Sequence, residues 1–352
     1  MPEILDIFTN DTFSAASLTA TVNIVPNTYG RLQAMNLFPG EGIPTTTVVI
    51  ERQGGVLNLL PTRPRGGPPS LGTRGRTNLR SFVIPHIPHD DAVLATDVQD
   101  RLARIGQAGA LDSVLGMVNR RLITARRKHA ITLEFLRMGA LKGIIYDYDA
   151  TTVLVNLFTE FGVTPKEINF ALTTGGTNVG SKCREVVSYI EDNLNGDTMT
   201  GVHCLASPEF FDALITHASV VEAYKYFQSA QNPLQRDYRR GFEFQGITFE
   251  EYRGAATKLN EDKTTASQRF IPAGDARFFP LGTTETFATY FGPPDYVDLV
   301  NQAPGPAGGE PEVFVAPLER MKFGKGMEIH TESNPLPMVK RPELLVRGFK
   351  NA

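Results

Sequence analysis

Residues 61–77, PTRPRGGPPSLGTRGRT, constrain this chain more than any other stretch, because eight of the seventeen are Pro or Gly. Such a segment neither packs a core nor continues a strand, since Pro lacks an amide donor and Gly has no side chain to bury. The runs on either side have the opposite character. TTTVVIER (Thr45 to Arg52) is rich in β-branched residues and reads as a strand. RSFVIPHI (Arg80 to Ile87) reads as a second, with Pro85 permitting only an edge position near its end. The expectation is a long hairpin with an irregular tip. From Arg52 to His89 there is no Asp or Glu, while Arg52, Arg63, Arg65, Arg74, Arg76 and Arg80 bring six positive charges. A cationic arm of this kind has little use on an isolated monomer, so it is expected to reach another molecule.

Asp90 and Asp91 then open a helical pattern, two carboxylates suiting the positive end of a helix dipole. Leu94, Val98, Leu102 and Ile105, then Leu111, Leu115, Val118 and Leu122, form one apolar stripe that fades around Met138 and Gly139. A helix of about 45 residues would span roughly 68 Å, longer than a compact domain needs, and reads as a spine. Its structural alternative is an ordinary core helix.

The remainder alternates short helices and strands. Leu141 to Gly162 reads as a hairpin around Asp147 and Asp149, Thr173 to Lys182 as a polar loop, and Cys183 to Leu194 as an amphipathic helix. Gly201 to Ser207 reads as a buried strand, followed by Ser207 as N-cap and Pro208 at the first helical position. Phe242 to Gly254 and Arg269 to Gly282 each read as two strands about a glycine, Gly246 and Gly274. Asn301 to Glu312 is a second Pro/Gly loop, and the closing segment alternates like strands broken by Pro335, Pro337 and Pro342. This mixture predicts an α+β fold.

Composition narrows the function. The chain has 352 residues, 41% apolar and 21% charged, with a net charge of −3, so no overall basic field grips phosphates. Two cysteines, Cys183 and Cys204, are too few for a disulfide framework or a zinc-ligand set. The first residues carry no basic start and no long apolar run, so neither a signal peptide nor a membrane contact is expected, and the cytoplasm is the expected compartment.

Chemistry-bearing patterns are weak. GGTNVGSK (Gly175 to Lys182) departs from a phosphate loop, which needs Gly-Lys-Ser/Thr where this chain has Gly180, Ser181, Lys182. His86, His89 and Asp90 sit between prolines 85 and 88, which forbid the helix that would align the histidines as ligands. His203, His217 and Cys204 lack a nucleophile arrangement. No catalytic, cofactor or metal residues are expected. The arginine loop carries the one competing reading, a nucleic-acid grip, although only Phe82 nearby offers a stacking surface. Pairing with acidic surface on a neighbouring copy is preferred, with Asp90, Asp91, Asp97 and Asp100 as candidate partners by charge alone.

In order, the elements resemble the lambda-like phage major capsid protein family (phage major capsid protein E). Three stretches carry the likeness: the helical run from Asp90 into the GIIYDYDAT hairpin, RFIPAGDARFFPLGTTE, and HTESNPLPMVKRPELLVRGF. The resemblance implies a Hong Kong-97-type capsid fold. Residues 1–30 would be an N-terminal arm, 31–90 an extended β-hairpin loop lying over a neighbour, and 91–179 the spine helix and peripheral-domain hairpin. Residues 180–312 would be an axial domain, and 313–352 strands returning to the peripheral domain. It further implies self-assembly into hexamers and pentamers of an icosahedral shell, the virion capsid, formed in the bacterial host cytoplasm. Partners would be a scaffolding protein, a portal and a decoration protein, with genome DNA enclosed without sequence-specific binding and no catalytic residues. Some capsids of this fold weld subunits through a lysine of the extended loop, but the first lysine here is Lys128, so such a bond between Gln53 and Arg80 is impossible.

Overall fold

The computed structural model describes residues 18, 19, 22, 30–53, 77–97, 110–227, 241–259, 264–297 and 313–351. A short helix α1 (Arg31–Ala34) leads to strands β1 (Gly40–Gly42), β2 (Thr47–Gln53), β3 (Thr77–Val83) and β4 (Ile87–Leu94). The long helix α2 (Ala110–Lys142) is followed by β5 (Ile144–Tyr146), β6 (Val153–Asn156), α3 (Leu157–Phe161) and β7 (Lys166–Asn169). Next come α4 (Val179–Asn193), β8 (Gly201–Ala206), α5 (Pro208–Thr216) and α6 (Ala218–Phe227). Strands β9 (Phe242–Phe244), β10 (Ile247–Glu251), β11 (Ala255–Leu259), β12 (Thr265–Arg269), β13 (Asp275–Leu281) and β14 (Phe287–Phe291) follow. The chain closes with β15 (Phe314–Val315), β16 (Glu319–Arg320), β17 (Gly326–Ser333), β18 (Pro335–Val339) and β19 (Val346–Phe349). The class is α+β, as expected.

Two compact units result, each built from separated pieces of chain. One comprises Met1–Val48, Phe82–Leu136 and Ala288–Met338. Its longest pairing is β4 against β17, antiparallel from Ile87 opposite Ser333 to Leu94 opposite Gly326. Val93 and Ile329 from that pair bury with Met117, Val118 and Leu122 of α2 and with Val313 and Val315. Val118 and Leu122, four residues apart, lie on one face with Met117 beside them, which is why this part of α2 reads as amphipathic.

The second unit comprises Val49–Ser81, Arg137–Phe287 and Val339–Ala352. Its centre is a six-stranded sheet of order β7-β19-β13-β8-β10-β9. Strand β8 runs antiparallel to β13 and parallel to β10. It is buried at five of its six positions, and so reads as a continuous apolar run rather than an alternating one. Helices α4 and α5 cover it with Val186, Ile190, Phe210 and Phe211, and Phe170 stacks on Phe278 at 5.4 Å between ring centroids. Each such fully buried aromatic contributes about 1.5–3 kcal/mol. Ser207 caps α5 as expected: its Oγ accepts from the Phe210 N–H at 3.3 Å and also from the Gly274 N–H at 2.9 Å, tying the helix start to the turn before β13.

Several expectations fail, most of them because strand pairing overrides local preference. Asp90 and Asp91 do not open a helix; both lie in β4, and α2 is 33 residues long, about 50 Å. The intervening Asp100, Leu102 and Ile105 lie outside the described residues. The stripe fades near Met138 because the helix is buried on every face there, from Leu136 to Leu141, before ending at Lys142. The strand read across Arg80 to Ile87 is two strands, β3 and β4, separated by residues 84–86 that include Pro85. Pro335 and Pro337 do not break a strand but lie within β18, which sits at the edge of the sheet β1-β14-β18 where a missing donor costs no bond. The two strands expected about Gly274 do not pair with each other: β12 joins β11, and β13 joins β8 and β19. The polar loop before Cys183 ends earlier than expected, because Asn178 accepts from the Ser181 N–H and starts α4 at Val179.

Candidate assembly surface

Among the described residues, strands β2 and β3 pair only with each other. The Ile84 N–H at the end of β3 donates to the Thr46 carbonyl at the start of β2 at 3.0 Å, so the two run antiparallel as a hairpin. Alternation divides its base into two faces. Val48, Ile50, Phe82 and Ile84 are buried, whereas Val49, Leu79 and Val83 are 59%, 67% and 71% exposed. Three large aliphatic side chains on one face of a two-stranded ribbon form an apolar surface with no cover in its own chain among the described residues.

The expected cationic residues divide accordingly. Arg63, Arg65, Arg74 and Arg76 lie outside the described residues, and Arg52 sits at the far end of β2. Arg80 is committed within its own subunit, its Nη1 lying 3.2 Å from Glu160 Oε2. Of the expected acidic partners, Asp90, Asp91 and Asp97 are also engaged internally. Asp91 and Asp97 flank Arg121 of α2 at 3.4 and 3.7 Å, and Asp90 contacts the His330 ring. These pairs are half-exposed, so each contributes at most about 1 kcal/mol and remains open to exchange with another partner.

Around the β4–β17 pair gather His86, His89, His129 and His330, four of the six histidines in the chain. Glu332 is fully buried there; its Oε1 accepts the Asp295 N–H at 2.5 Å, and burial pushes its carboxyl above the usual range. His129 is buried against Thr331 Oγ1 at 3.2 Å, and desolvation, then His89 and Arg126, hold its pKa down at about 3. Among the described residues no group of three or more His, Cys, Asp or Glu is placed to hold a metal ion.

The other decoys resolve into structure. Gly180, Ser181 and Lys182 form the first turn of α4, with Lys182 beside Glu185 at 3.6 Å. His203 pairs with Glu250 at 3.3 Å between β8 and β10, and His217 bonds Ser219 and the Thr174 carbonyl. Both thiols are free and buried; burial pushes Cys183 up to about 12 and Cys204 well above its ordinary value. Such thiols are unreactive.

Charged groups that the sequence did not single out carry part of the architecture. Glu134 on α2 is 3% exposed and accepts the Leu32 N–H of α1 at 3.1 Å. Asp275, 4% exposed, is gripped by Arg347 and Arg277. Nothing in the local pattern marks these residues, because each is defined by a partner far away in sequence.

Comparison with known proteins places these features. Residues 14–350 match the family model described as phage major capsid protein E. The major capsid protein of Pseudomonas phage KPP10 is 31% identical, over 96% of both chains, and that of Salmonella phage Felix O1 (isolate Felix O1-VT1) is 26% identical, over 95% of both. Among solved structures, the mature capsid of bacteriophage PhiM1 aligns with a TM-score of 0.51 at 11% identity, covering 91% of this chain and 87% of that one, a likeness of fold.

Proposed function

The chain belongs to the phage major capsid protein E family, the structural proteins of tailed-phage heads, and on that premise we propose how its copies hold one another in an icosahedral shell around packaged double-stranded DNA. The extended hairpin, within residues 31–90, lies over a neighbouring copy. The observation that carries this reading is the hairpin base, whose outward face presents Val49, Leu79 and Val83 to solvent. A shell protein has a use for such a face: each copy covers the apolar surface of the next, and many modest interfaces sum to a stable particle while each remains reversible. Arg52, Arg63, Arg65, Arg74 and Arg76 meet acidic surface of the adjacent copy, with Asp90, Asp91 and Asp97, through exchange of the internal pairs described above, and Asp100 as candidate partners.

In this reading residues 1–30 form an arm, the long helix and the β5–β6 hairpin within 91–179 belong to a peripheral domain, and 313–352 return to it. Residues 180–312 form an axial domain around the centre of hexamers and pentamers. A scaffolding protein, a portal and a decoration protein are the further partners, and assembly takes place in the host cytoplasm. Enclosed DNA is not bound by sequence, which suits a subunit with a net charge of −3. The role is structural, without catalysis.

Sedimentation and electron microscopy of the purified protein test this directly, with capsomers, sheets, tubes or shells as the expected products. Replacing Arg63, Arg65, Arg74 and Arg76 together by Ala is expected to impair assembly while leaving the thermal unfolding of the subunit unchanged. Normal shells from that variant would remove the loop assignment. A stable monomer with a salt-sensitive DNA shift would instead favour a nucleic-acid-binding role.

A further inference from the structure

Within the second unit, the C-terminal end of α2 borders a cavity of about 330 Å³ whose charged lining is Lys142, Lys166, Glu167, Asp275, Arg277 and Arg347. Four cations therefore face two carboxylates. Lys166 is satisfied outside the set, by Glu185 at 3.2 Å. Asp275 is shared between Arg347 and Arg277, and Glu167 is held by Arg347 at 2.9 Å. Two positive groups remain short of acceptors. Arg277 Nε is buried and makes no hydrogen bond, and Lys142 Nζ has neither a hydrogen bond nor an ion pair among the described residues, lying 5.8 Å from the centroid of the Tyr146 ring.

A half-buried cation with too little opposing charge is costly, and the lysine registers that cost: desolvation, then the neighbouring Arg277, hold its pKa down at about 8, against the smaller opposing pull of Asp275. Its place at the last residue of a helix suggests a simpler role, charge against the helix dipole. Yet that role needs no cavity and leaves Arg277 Nε unexplained. Solvated ammonium groups at helix ends are common; one half-buried in a cavity wall, without an ion pair and beside a second under-satisfied cation, is an acceptor-seeking arrangement.

We propose that this pocket receives a carboxylate-bearing side chain from a second copy of the chain, with Lys142 and Arg277 as the groups that bind it. The second copy follows from the shell-building reading above, on which this inference rests. Size and lining point to a side chain rather than a lone ion: a cavity of about 330 Å³ has room for far more than one ion or water, and the aromatic walls of Tyr146 and Phe158 suit the methylene stem of a glutamate. A carboxylate placed there balances the excess positive charge of the lining and supplies Lys142 with an acceptor.

Lys142→Met separates this from a purely structural lysine, because the two roles move two readouts in different directions. Removing a half-buried charge that has no ion pair is expected to leave the unfolding midpoint of the unassembled subunit unchanged or raised. Assembly under conditions where wild-type protein forms shells is expected to fall at least tenfold. A variant that assembles like wild type overturns the proposal, while the wild-type control keeps the shell reading standing on its own evidence. Carbodiimide coupling of shells mixed from ¹⁵N-labelled and unlabelled subunits identifies the occupant. A peptide joining Lys142 of one isotope to an Asp or Glu of the other is expected; links from Lys142 to Asp275 or Glu167 of the same copy alone would refute it. Stabilisation of the unassembled subunit by inorganic phosphate that Lys142→Met abolishes, without any intersubunit link, also overturns it, since the site would then serve a free oxyanion.

Discussion

Arg347 holds Asp275 through two hydrogen bonds, Nε to Oδ2 at 2.9 Å and Nη2 to Oδ1 at 3.0 Å, across the antiparallel pair β13–β19. The same carboxylate accepts from Arg277 Nη2 at 3.1 Å, so one buried anion organises two guanidinium groups. The two ends of the bridge are not equivalent. Asp275 has a side chain only 6% exposed, while that of Arg347 is 37% exposed and can be rehydrated.

Asp275→Asn is therefore expected to destabilise the subunit by about 3 kcal/mol, because it strands the buried Arg277 charge. Arg347→Met is expected to cost less, about 1–2 kcal/mol, since Arg277 still answers the aspartate. Urea unfolding of the unassembled variants measures both, and equal losses would contradict the asymmetry.

Acid should weaken the unit that contains the histidine cluster. His129 has a folded pKa of about 3, below the unfolded value of 6.5, so the unfolded chain binds the extra proton first. Stability is complete above pH 6.5 and falls by about 1.4 kcal/mol per pH unit as the pH drops toward 3. Glu332 works the other way: its raised carboxyl pKa means the folded state takes up its proton first on acidification, which partly offsets the loss. The slope attributable to His129 is expected to disappear in His129→Gln, measured as unfolding midpoint against pH from 7 to 4.5. An unchanged slope would place the acid sensitivity elsewhere.

Gly30 and Glu134 meet at close range. The glycine has φ +105°, and a Cβ there would overlap the Glu134 carboxylate that receives the Leu32 N–H. Gly30→Ala is expected to lower stability by more than about 1 kcal/mol, through backbone strain and displacement of that carboxylate. Glu134→Ala should cost about 1 kcal/mol by leaving a buried N–H unpaired. Thermal unfolding of the two single variants and the double variant tests whether the losses are less than additive, as shared geometry requires.

Neither thiol should react in the native subunit. Cys183 and Cys204 are buried, with their thiolates disfavoured by desolvation. A disulfide reagent at pH 8 is expected to titrate both cysteines only after denaturation; rapid labelling of folded protein would show the second unit opening locally.

Local chemistry made much of this chain legible. Ser207 followed by Pro208 marked the start of α5 because an N-cap and a proline at the first helical position act within a few residues. The hairpin of β5 and β6 was visible for the same reason: Asp149 accepts the Thr151 and Thr152 N–H groups, both at 2.9 Å, and so builds its own turn. The β2–β3 ribbon followed from β-branched runs flanking a segment that cannot be strand.

Tertiary structure decided what depends on a partner remote in sequence. Asp90 and Asp91 satisfy every local rule for a helix start, yet eight consecutive residue pairs with β17 make them strand, a choice that rests on residues some 240 positions away. Pro335 and Pro337 were tolerated because β18 became an edge strand, which no window of sequence reveals. The meeting of Lys142, Asp275, Arg277 and Arg347 has the same origin. By itself the sequence determined where the chain turns, caps and alternates, since those preferences act over a few residues. Which strands pair and which charges are buried together was decided only by the folded chain, because burial and long-range pairing outweigh local preferences worth about 1 kcal/mol or less per residue.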